Sequence, residues 1–162
     1  MPEVFVSVGS NIAPRRHIRD GLRKLEARFG RLRSSPVYES RAVGFAGDNF
    51  LNLVVAFDTD EPAGAVNDAL HAVEVACGRR RGSERFAPRS LDLDLLLYGD
   101  ATLKEGGVHV PRDEIVRYAF VLRPLAELAG ERRHPVLGET FAELWARFDA
   151  ASQPLWPAFL EE

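Results

Sequence analysis

The sequence predicts an α+β fold in which helices pack on one face of an antiparallel sheet. Short apolar runs bounded by glycine or proline are typical of strands. Two of the segments between them carry apolar residues every three or four positions, as amphipathic helices do. With 162 residues, the chain is long enough for one domain, residues 1–162, with a substantial core.

The first half of this fold is predicted from three segments. A strand is predicted over 4–8, a β-branched and aromatic run that ends at Gly9. A helix is predicted over 15–29, because apolar residues recur there at spacings of four, three and four: Ile18, Leu22, Leu25 and Phe29. Gly30 is expected to end this helix, and a weaker strand over 32–38 follows.

The second half of the core again has the order strand, helix, strand. The apolar run over 51–57 predicts a strand. Pro62 suits the first turn of a helix that is expected to reach Cys77. Its apolar face is continued by Val66, Leu70 and Val73. A last strand is predicted over 91–98.

The predicted order βαββαβ is that of a ferredoxin-like core, in which two helices cover one face of an antiparallel sheet. Two long loops, 39–50 and 78–90, interrupt it, and loops of this length in a compact domain are often functional. After Gly99 the chain is predicted to be irregular up to two helices, over 120–129 and 139–148, which form a C-terminal helical extension.

The composition is that of an ordinary soluble chain. Hydrophobic residues make up 46% and the net charge is −3, so the overall charge favours neither nucleic acid nor membrane as a partner. The single cysteine, Cys77, excludes an intramolecular disulfide framework and a multi-cysteine zinc site. We see neither a signal peptide nor a membrane-spanning run, so we expect a cytoplasmic protein, and a monomer.

Leucines and aspartates alternate in the strand predicted over 91–98. Because successive strand side chains point to opposite faces, Asp92 and Asp94 are expected on one face, roughly 6.5 Å apart. The opposite face is expected to carry four leucines: Leu91, Leu93, Leu95 and Leu97. Two neighbouring like charges repel each other, which suggests a compensating cation. The plainer interpretation is a half-exposed strand whose outer face is acidic.

Arginines crowd the segment before this strand, at Arg79, Arg80, Arg81, Arg85 and Arg89. Carboxylates hold hard cations such as Mg²⁺, and guanidinium groups bind phosphate through forked hydrogen bonds. The combination is typical of a site for a metal and a polyphosphate. Neither a P-loop nor a dinucleotide-binding glycine motif occurs, so such a site would depend on side chains and metal. A solvated basic loop is the alternative.

Three motifs resemble one known family: V-G-S-N over 8–11, F-L-N over 50–52, and GRRRGSERFAPRSLDLDLLLYGD over 78–100. From the first strand to the segment 120–125, the chain is similar to the 6-hydroxymethyl-7,8-dihydropterin pyrophosphokinases of folate biosynthesis. The resemblance implies transfer of an intact pyrophosphoryl group from ATP to the hydroxymethyl group of the pterin, with release of AMP.

The resemblance also implies roles for individual residues. Asp92 and Asp94 would hold two Mg²⁺ ions against the triphosphate, with catalytic phosphate contacts from Arg79, Arg85 and Arg89. Further contacts to ATP would come from His71, Glu74, Arg79, Arg81, Phe86, Leu95 and Arg112. The pterin would lie between Phe50 and Phe120 and contact Asn52, Ser40, Val43 and Gly44.

The chain departs from the family pattern at three positions on the nucleotide side. Phe86 stands where the family often has tryptophan, Arg112 where it commonly has histidine, and Tyr118 where it usually has arginine. Because the triphosphate charge must still be balanced, we expect compensation from Arg112 or, failing that, from Arg117.

Two other functions remain open from the sequence alone. One is a non-catalytic, ferredoxin-like nucleic-acid-binding module, which would need exposed basic and aromatic residues on its strands. The last core strand instead carries Asp92 and Asp94. The other is a divergent relative that binds a pterin but has altered or lost the transfer step.

Overall fold

A computed structural model describes residues 1–43, 47–78 and 90–161. Its strands are β1 (Glu3–Ser10), β2 (Arg33–Ser34), β3 (Val37–Ser40), β4 (Phe50–Asp58), β5 (Asp92–Tyr98), β6 (Leu103–Glu105), β7 (Val108–Val110) and β8 (Trp156–Ala158). Its helices are α1 (Pro14–Phe29), α2 (Ala63–Ala76), α3 (Glu114–Arg117), α4 (Ala119–Ala129) and α5 (Phe141–Ala146). Within those ranges no helix has the length and apolar character needed to span a membrane.

The main sheet has the strand order β5-β1-β4-β3-β8, and β2 pairs with the far end of β4. Every neighbouring pair is antiparallel. The prediction of helices combined with an antiparallel sheet is therefore confirmed. The central strands β1 and β4 are paired over eight residues each, from Glu3 opposite Asp58 to Ser10 opposite Leu51.

Hydrophobic clusters cover both faces of this sheet. The first lies between the sheet and helices α1 and α2, and is built on residues such as Val6, Leu53 and Leu70. The second lies between the sheet and helices α3 to α5, around Phe5 and Phe141. Each large side chain that is fully buried in these clusters contributes about 1.5–3 kcal/mol to stability.

A β-bulge in β5 changes the predicted leucine pattern. Val6 lies opposite Leu95 and Phe5 opposite Leu97, so Leu96 is an extra residue between these two pairs. The leucines up to Leu95 pack in the first cluster, whereas Leu96 and Leu97 pack in the second. The prediction that Leu97 shares the face of Leu95 is wrong, because an extra residue shifts the alternation by one.

The segment after Gly99 is not irregular as predicted, because β6 and β7 pair as a hairpin. Its two turn residues, Gly106 and Gly107, have φ of +60° and +81°. These left-handed angles suit the tight turns whose twist matches antiparallel strands, and glycine adopts them without steric cost. A Gly-Gly pair between two strand-like runs was the sequence signal for this hairpin.

The C-terminal region contributes more than helices. β8 pairs with β3, from Val37 opposite Ala158 to Glu39 opposite Trp156, and so extends the sheet by one strand. The last helix, α5, is shorter than predicted at both ends, and its later start is explained by a capping box. In that box the Thr140 side chain accepts the Glu143 backbone N–H, and the Glu143 side chain accepts the Thr140 N–H.

Candidate active site

The candidate site lies at the end of the sheet where β1 separates β4 from β5. Gly9 of β1 is opposite Asn52 on one side and opposite Asp92 on the other. A Cβ at Gly9 would lie 3.3 Å from Asn52 Oδ1 and 3.8 Å from a ring carbon of Phe50. The missing side chain therefore leaves room beside Asn52 and Phe50, two of the residues predicted to bind the pterin.

The two aspartates lie on the face of the sheet that the C-terminal helices cover. Asp94 is opposite Ser7, and Ser7 is opposite Val54, which packs in the second cluster. Directly opposite residues on neighbouring strands point to the same face, so Asp94 points to that face too. Asp92 lies two residues earlier, before the bulge, and shares it. The alternation of the sequence predicts this arrangement.

Arg112 supplies a positive charge to this pair. Its Nη2 lies 3.3 Å from Asp94 Oδ1, and its Nε donates to Glu114 Oε2 at 2.6 Å. The backbone N–H of Arg112 donates to the Leu96 carbonyl at 3.0 Å, beside the bulge. This bond fixes the segment after β7 to β5. It places the Arg112 guanidinium beside the aspartates.

The electrostatic environment of Arg112 favours its charged form. Burial opposes the charge, but Asp94, Glu114 and Asp92 together outweigh that effect and raise the pKa of the guanidinium. Arg112 is therefore a permanent cation at the site.

Glu74 supports β5, the strand that carries both aspartates. This α2 residue is 2% exposed, and its Oε2 accepts the Leu93 backbone N–H at 2.7 Å. Leu93 stands between Asp92 and Asp94 on an edge strand, so Glu74 fixes the backbone that carries both carboxylates. His71 lies one turn earlier with its Nδ1 3.8 Å from Glu74 Oε1, and its side chain is largely exposed.

The predicted pterin residues gather at the neighbouring strands. Asn52 is buried, and its Nδ2 donates to Ser40 Oγ at 2.8 Å, which orients the amide. Phe50 and Phe120 are partly buried, and Phe120 packs against the second cluster. Tyr118 stacks on Phe120 with ring centroids 5.1 Å apart. Tyr118, found where an arginine was expected, therefore extends the aromatic surface.

The G-S-N motif after the first strand connects the site to both long loops. Ser10 Oγ donates to the Ser90 carbonyl at 2.6 Å, at the end of the 78–90 loop. Asn11 Nδ2 donates to the Asp48 carbonyl at 3.2 Å, in the 39–50 loop. In the sequence, only the family resemblance points to this motif. A single sequence carries no signal for contacts between residues so far apart.

A cavity of about 500 Å³ opens beside Asn11. Its lining includes Arg15, Glu39 and Asp48, so it is polar. It lies next to the β4 end of the site, where Glu39 precedes Ser40 and pairs with Leu51.

Comparison with known proteins decides the family. A model of the 7,8-dihydro-6-hydroxymethylpterin-pyrophosphokinase (HPPK) family matches residues 5–130. The chain belongs to this family. The match includes both aspartates and Asn52, as well as the Gly9 that separates them.

Individual HPPK relatives agree with this assignment. A 2-amino-4-hydroxy-6-hydroxymethyldihydropteridine pyrophosphokinase of Pseudomonas aeruginosa is 42% identical over 137 residues, which cover 82% of this chain and 83% of the relative. The protein of the same name from Synechocystis is 32% identical over 158 residues, covering 94% of this chain and 78% of the relative.

Solved structures support the fold. A crystal structure of wild-type Plasmodium falciparum HPPK-DHPS with STZ-DHP superposes with a TM-score of 0.70 at 14% identity, over 90% of this chain and 41% of that one. At this identity the likeness concerns the fold alone. The chain spans about two fifths of the length of that structure.

Several residues that the HPPK resemblance singles out lie outside the described ranges: Gly44, Arg79, Arg81, Arg85, Phe86 and Arg89. Among the described residues, Val43 is exposed in the loop that follows β3. Leu95 is 2% exposed and packs in the first cluster, so its side chain offers almost no surface to a nucleotide. Any contact of Leu95 with ATP would involve its backbone.

The donor set at the aspartates fits a magnesium ion. Within residues 1–43, 47–78 and 90–161, no three His, Cys, Asp or Glu residues gather as a metal cage. Mg²⁺ does not require one, because it commonly binds one or two carboxylates and completes its shell with water and phosphate oxygens. Asp92 and Asp94 supply two such carboxylates, and Arg112 already brings a positive charge to Asp94.

Proposed function

We propose that the chain transfers the pyrophosphoryl group of ATP to the hydroxymethyl group of 6-hydroxymethyl-7,8-dihydropterin, as a Mg²⁺-dependent step of folate biosynthesis. The observation that carries this proposal is the family match over residues 5–130, which includes the metal side and the pterin side of one continuous site. The names of the Pseudomonas and Synechocystis relatives point to the same activity.

In this reaction the hydroxymethyl oxygen bonds to the β-phosphorus of ATP. The bond from that phosphorus to the bridging oxygen of the α-phosphate breaks, so AMP leaves with the bridging oxygen and the hydroxyl proton passes to water. Holding the two substrates in line supplies much of the rate enhancement of such a transfer. Asn52 and Asp92 are separated by the single strand β1. This separation suits an in-line transfer, because the Asn52 side can hold the pterin while the Asp92 side holds ATP.

On the pterin side, the buried amide of Asn52 would bind the edge of the ring. Because Nδ2 donates to Ser40 Oγ, Oδ1 is left on the Gly9 side, where it can accept an N–H of the pterin. Phe50 and Phe120 would stack on the faces of the ring.

On the nucleotide side, Asp92 and Asp94 would hold the metal, and Arg112 would bind phosphate oxygens. A Mg²⁺ ion held there would neutralise charge on the triphosphate and would lower the pKa of the attacking hydroxyl. Glu74 keeps the backbone between the aspartates in position through its bond to Leu93. His71, Val43, Gly44 and the arginines of the 78–90 loop keep the roles that the resemblance implies.

The strand order supports a ferredoxin-like core, because β1, β3, β4 and β5 stand in the order that this topology requires. We further propose that residues 1–162 act as one domain and as a monomer in the cytoplasm. The nucleic-acid-binding alternative is not favoured. In the described part of the chain, helices pack against both faces of the sheet, and its edge strand carries Asp92 and Asp94, whose charge would repel a nucleic-acid backbone.

The proposal is tested by incubating the purified chain with ATP, Mg²⁺ and the pterin and measuring AMP. AMP should appear only when the pterin is present. Asp94→Asn should abolish it, while Asp58→Asn, at the opposite end of β4, should not. A folded protein that binds the pterin and yields no AMP would identify the divergent relative and refute the transfer.

A further inference from the structure

Three contacts hold Arg112 beside the aspartate pair. Its backbone is bonded to Leu96, its Nε to Glu114 at 2.6 Å, and its Nη2 lies 3.3 Å from Asp94. The side chain is 29% exposed, so water screens these contacts only in part. The contact to Glu114 is shorter than the contact to Asp94.

This geometry creates a competition at Asp94. Two aspartates on one strand face repel each other, and Arg112 relieves part of that repulsion. A divalent ion that binds Asp94 must share the carboxylate with the guanidinium or displace it. Two like charges held within a few ångströms on one carboxylate repel, so displacement is the favoured outcome.

We infer that Arg112 is a resident counter-cation of the aspartate pair, which a divalent ion displaces from Asp94 and which Glu114 then retains beside the site to bind phosphate. The inference rests on the proposed function, because it takes Asp92 and Asp94 as the metal ligands. The inference adds that the binding of the metal and the binding of the nucleotide are coupled through the Arg112 side chain. The metal alone competes with Arg112, whereas the metal together with a triphosphate gives the released guanidinium a new anionic partner.

The coupling predicts effects of opposite sign on two ligands. Without Arg112, the metal alone should bind more tightly, because one competitor for the Asp94 carboxylate is gone. The nucleotide together with metal should bind more weakly, because a phosphate contact is gone. A residue with only a structural role would weaken both, since a distorted site holds neither ligand well.

The experiment measures Mn²⁺ binding by electron paramagnetic resonance, with Mn²⁺ standing in for Mg²⁺ as a hard divalent cation that prefers oxygen ligands. Wild type, Arg112→Gln, Arg112→Lys, Asp94→Asn and Arg28→Gln are titrated with Mn²⁺ alone and then with a non-hydrolysable ATP analogue present. Arg28→Gln is the matched control. It also removes an arginine paired with a carboxylate, Glu61, but at the far end of α1.

For Mn²⁺ alone, Arg112→Gln should bind several-fold more tightly than wild type, and Arg112→Lys should stay near wild type because it keeps the positive charge. With the analogue present, Arg112→Gln should bind several-fold more weakly. Arg28→Gln should match wild type in both titrations. The gain with Mn²⁺ alone should shrink as salt rises, because screening weakens the competing ion pair.

Two results separate this inference from the proposed function beneath it. If Asp94→Asn removes Mn²⁺ binding but Arg112→Gln binds Mn²⁺ no better than wild type, the counter-cation role of Arg112 is refuted and the metal site stands. If no variant binds Mn²⁺ with or without the analogue, the metal site itself is refuted, and the inference with it.

Discussion

Glu74 offers the most direct test of how the fold positions the aspartates. Its Oε2 accepts the Leu93 N–H at 2.7 Å within a buried environment, and Leu93 lies on the edge strand between Asp92 and Asp94. We predict that Glu74→Leu is less stable than Glu74→Gln. Both variants remove the carboxyl group and fill similar space, but only glutamine keeps an acceptor oxygen for Leu93.

The expected size of this difference follows from the lost bond. A buried N–H without an acceptor costs about 1–3 kcal/mol. For a chain of this length, each kcal/mol moves the melting temperature by about 2–4 °C. Glu74→Leu should therefore melt about 2–12 °C below Glu74→Gln. Because both variants are uncharged at this position, the cost of burying a carboxyl group cancels in the comparison.

Urea unfolding followed by circular dichroism gives the free energies of unfolding, and Mn²⁺ titration of the same samples tests the site. Glu74→Leu should also bind Mn²⁺ more weakly than Glu74→Gln, because the strand between the aspartates has lost its support. If the two variants unfold at the same urea concentration, the bond to Leu93 does not stabilise the strand and the reasoning fails.

The remaining predictions address catalysis, the ring pocket and pH. Asp92→Asn and Asp94→Asn should each abolish transfer while the far-ultraviolet circular dichroism stays native; near-wild-type turnover at saturating Mg²⁺ in either would contradict the metal assignment. Asn52→Ala and Phe120→Ala should weaken pterin binding more than binding of an ATP analogue in calorimetric titrations, and equal losses would mean that these residues serve the core instead. Burial lowers the pKa of His134 from its ordinary 6.5, and its Nδ1 accepts the backbone N–H groups of residues 136 and 137. The unfolded chain therefore binds a proton first, so stability should fall as pH drops below about 6.5. His134→Asn should lose that part of the pH dependence in urea unfolding, and an unchanged slope would contradict it.

The sequence predicted the core elements well where the hydrophobic period was strong. The predicted helix over 15–29 differs from α1 by one residue at its start, and Gly30 follows its end as expected. The hairpin of β6 and β7 was missed because each strand has only three residues, too few to show alternation. Leu97 was misassigned because a bulge depends on the pairing between two strands, which one strand does not reveal.

The candidate site was likewise predicted only in part from the sequence. The paired aspartates followed from period-two alternation, and Asn52 from its motif. The contact of Arg112 with Asp94 depends on how the segment after β7 returns to β5, and the backbone bond to Leu96 fixes that return. Glu74 was expected to contact the nucleotide, and the structure adds its bond to Leu93, which only the packing of α2 against β5 determines.

The central claim is that the group transferred is the intact pyrophosphoryl group, and label in the β-phosphorus of ATP tests it directly. The chain is incubated with this ATP, Mg²⁺ and 6-hydroxymethyl-7,8-dihydropterin, and the products are separated. We predict that the label moves entirely to the pterin as its diphosphate, while unlabelled AMP is released. Label that remains in ADP, beside an unlabelled pterin monophosphate, would show attack at the γ-phosphorus and contradict the account.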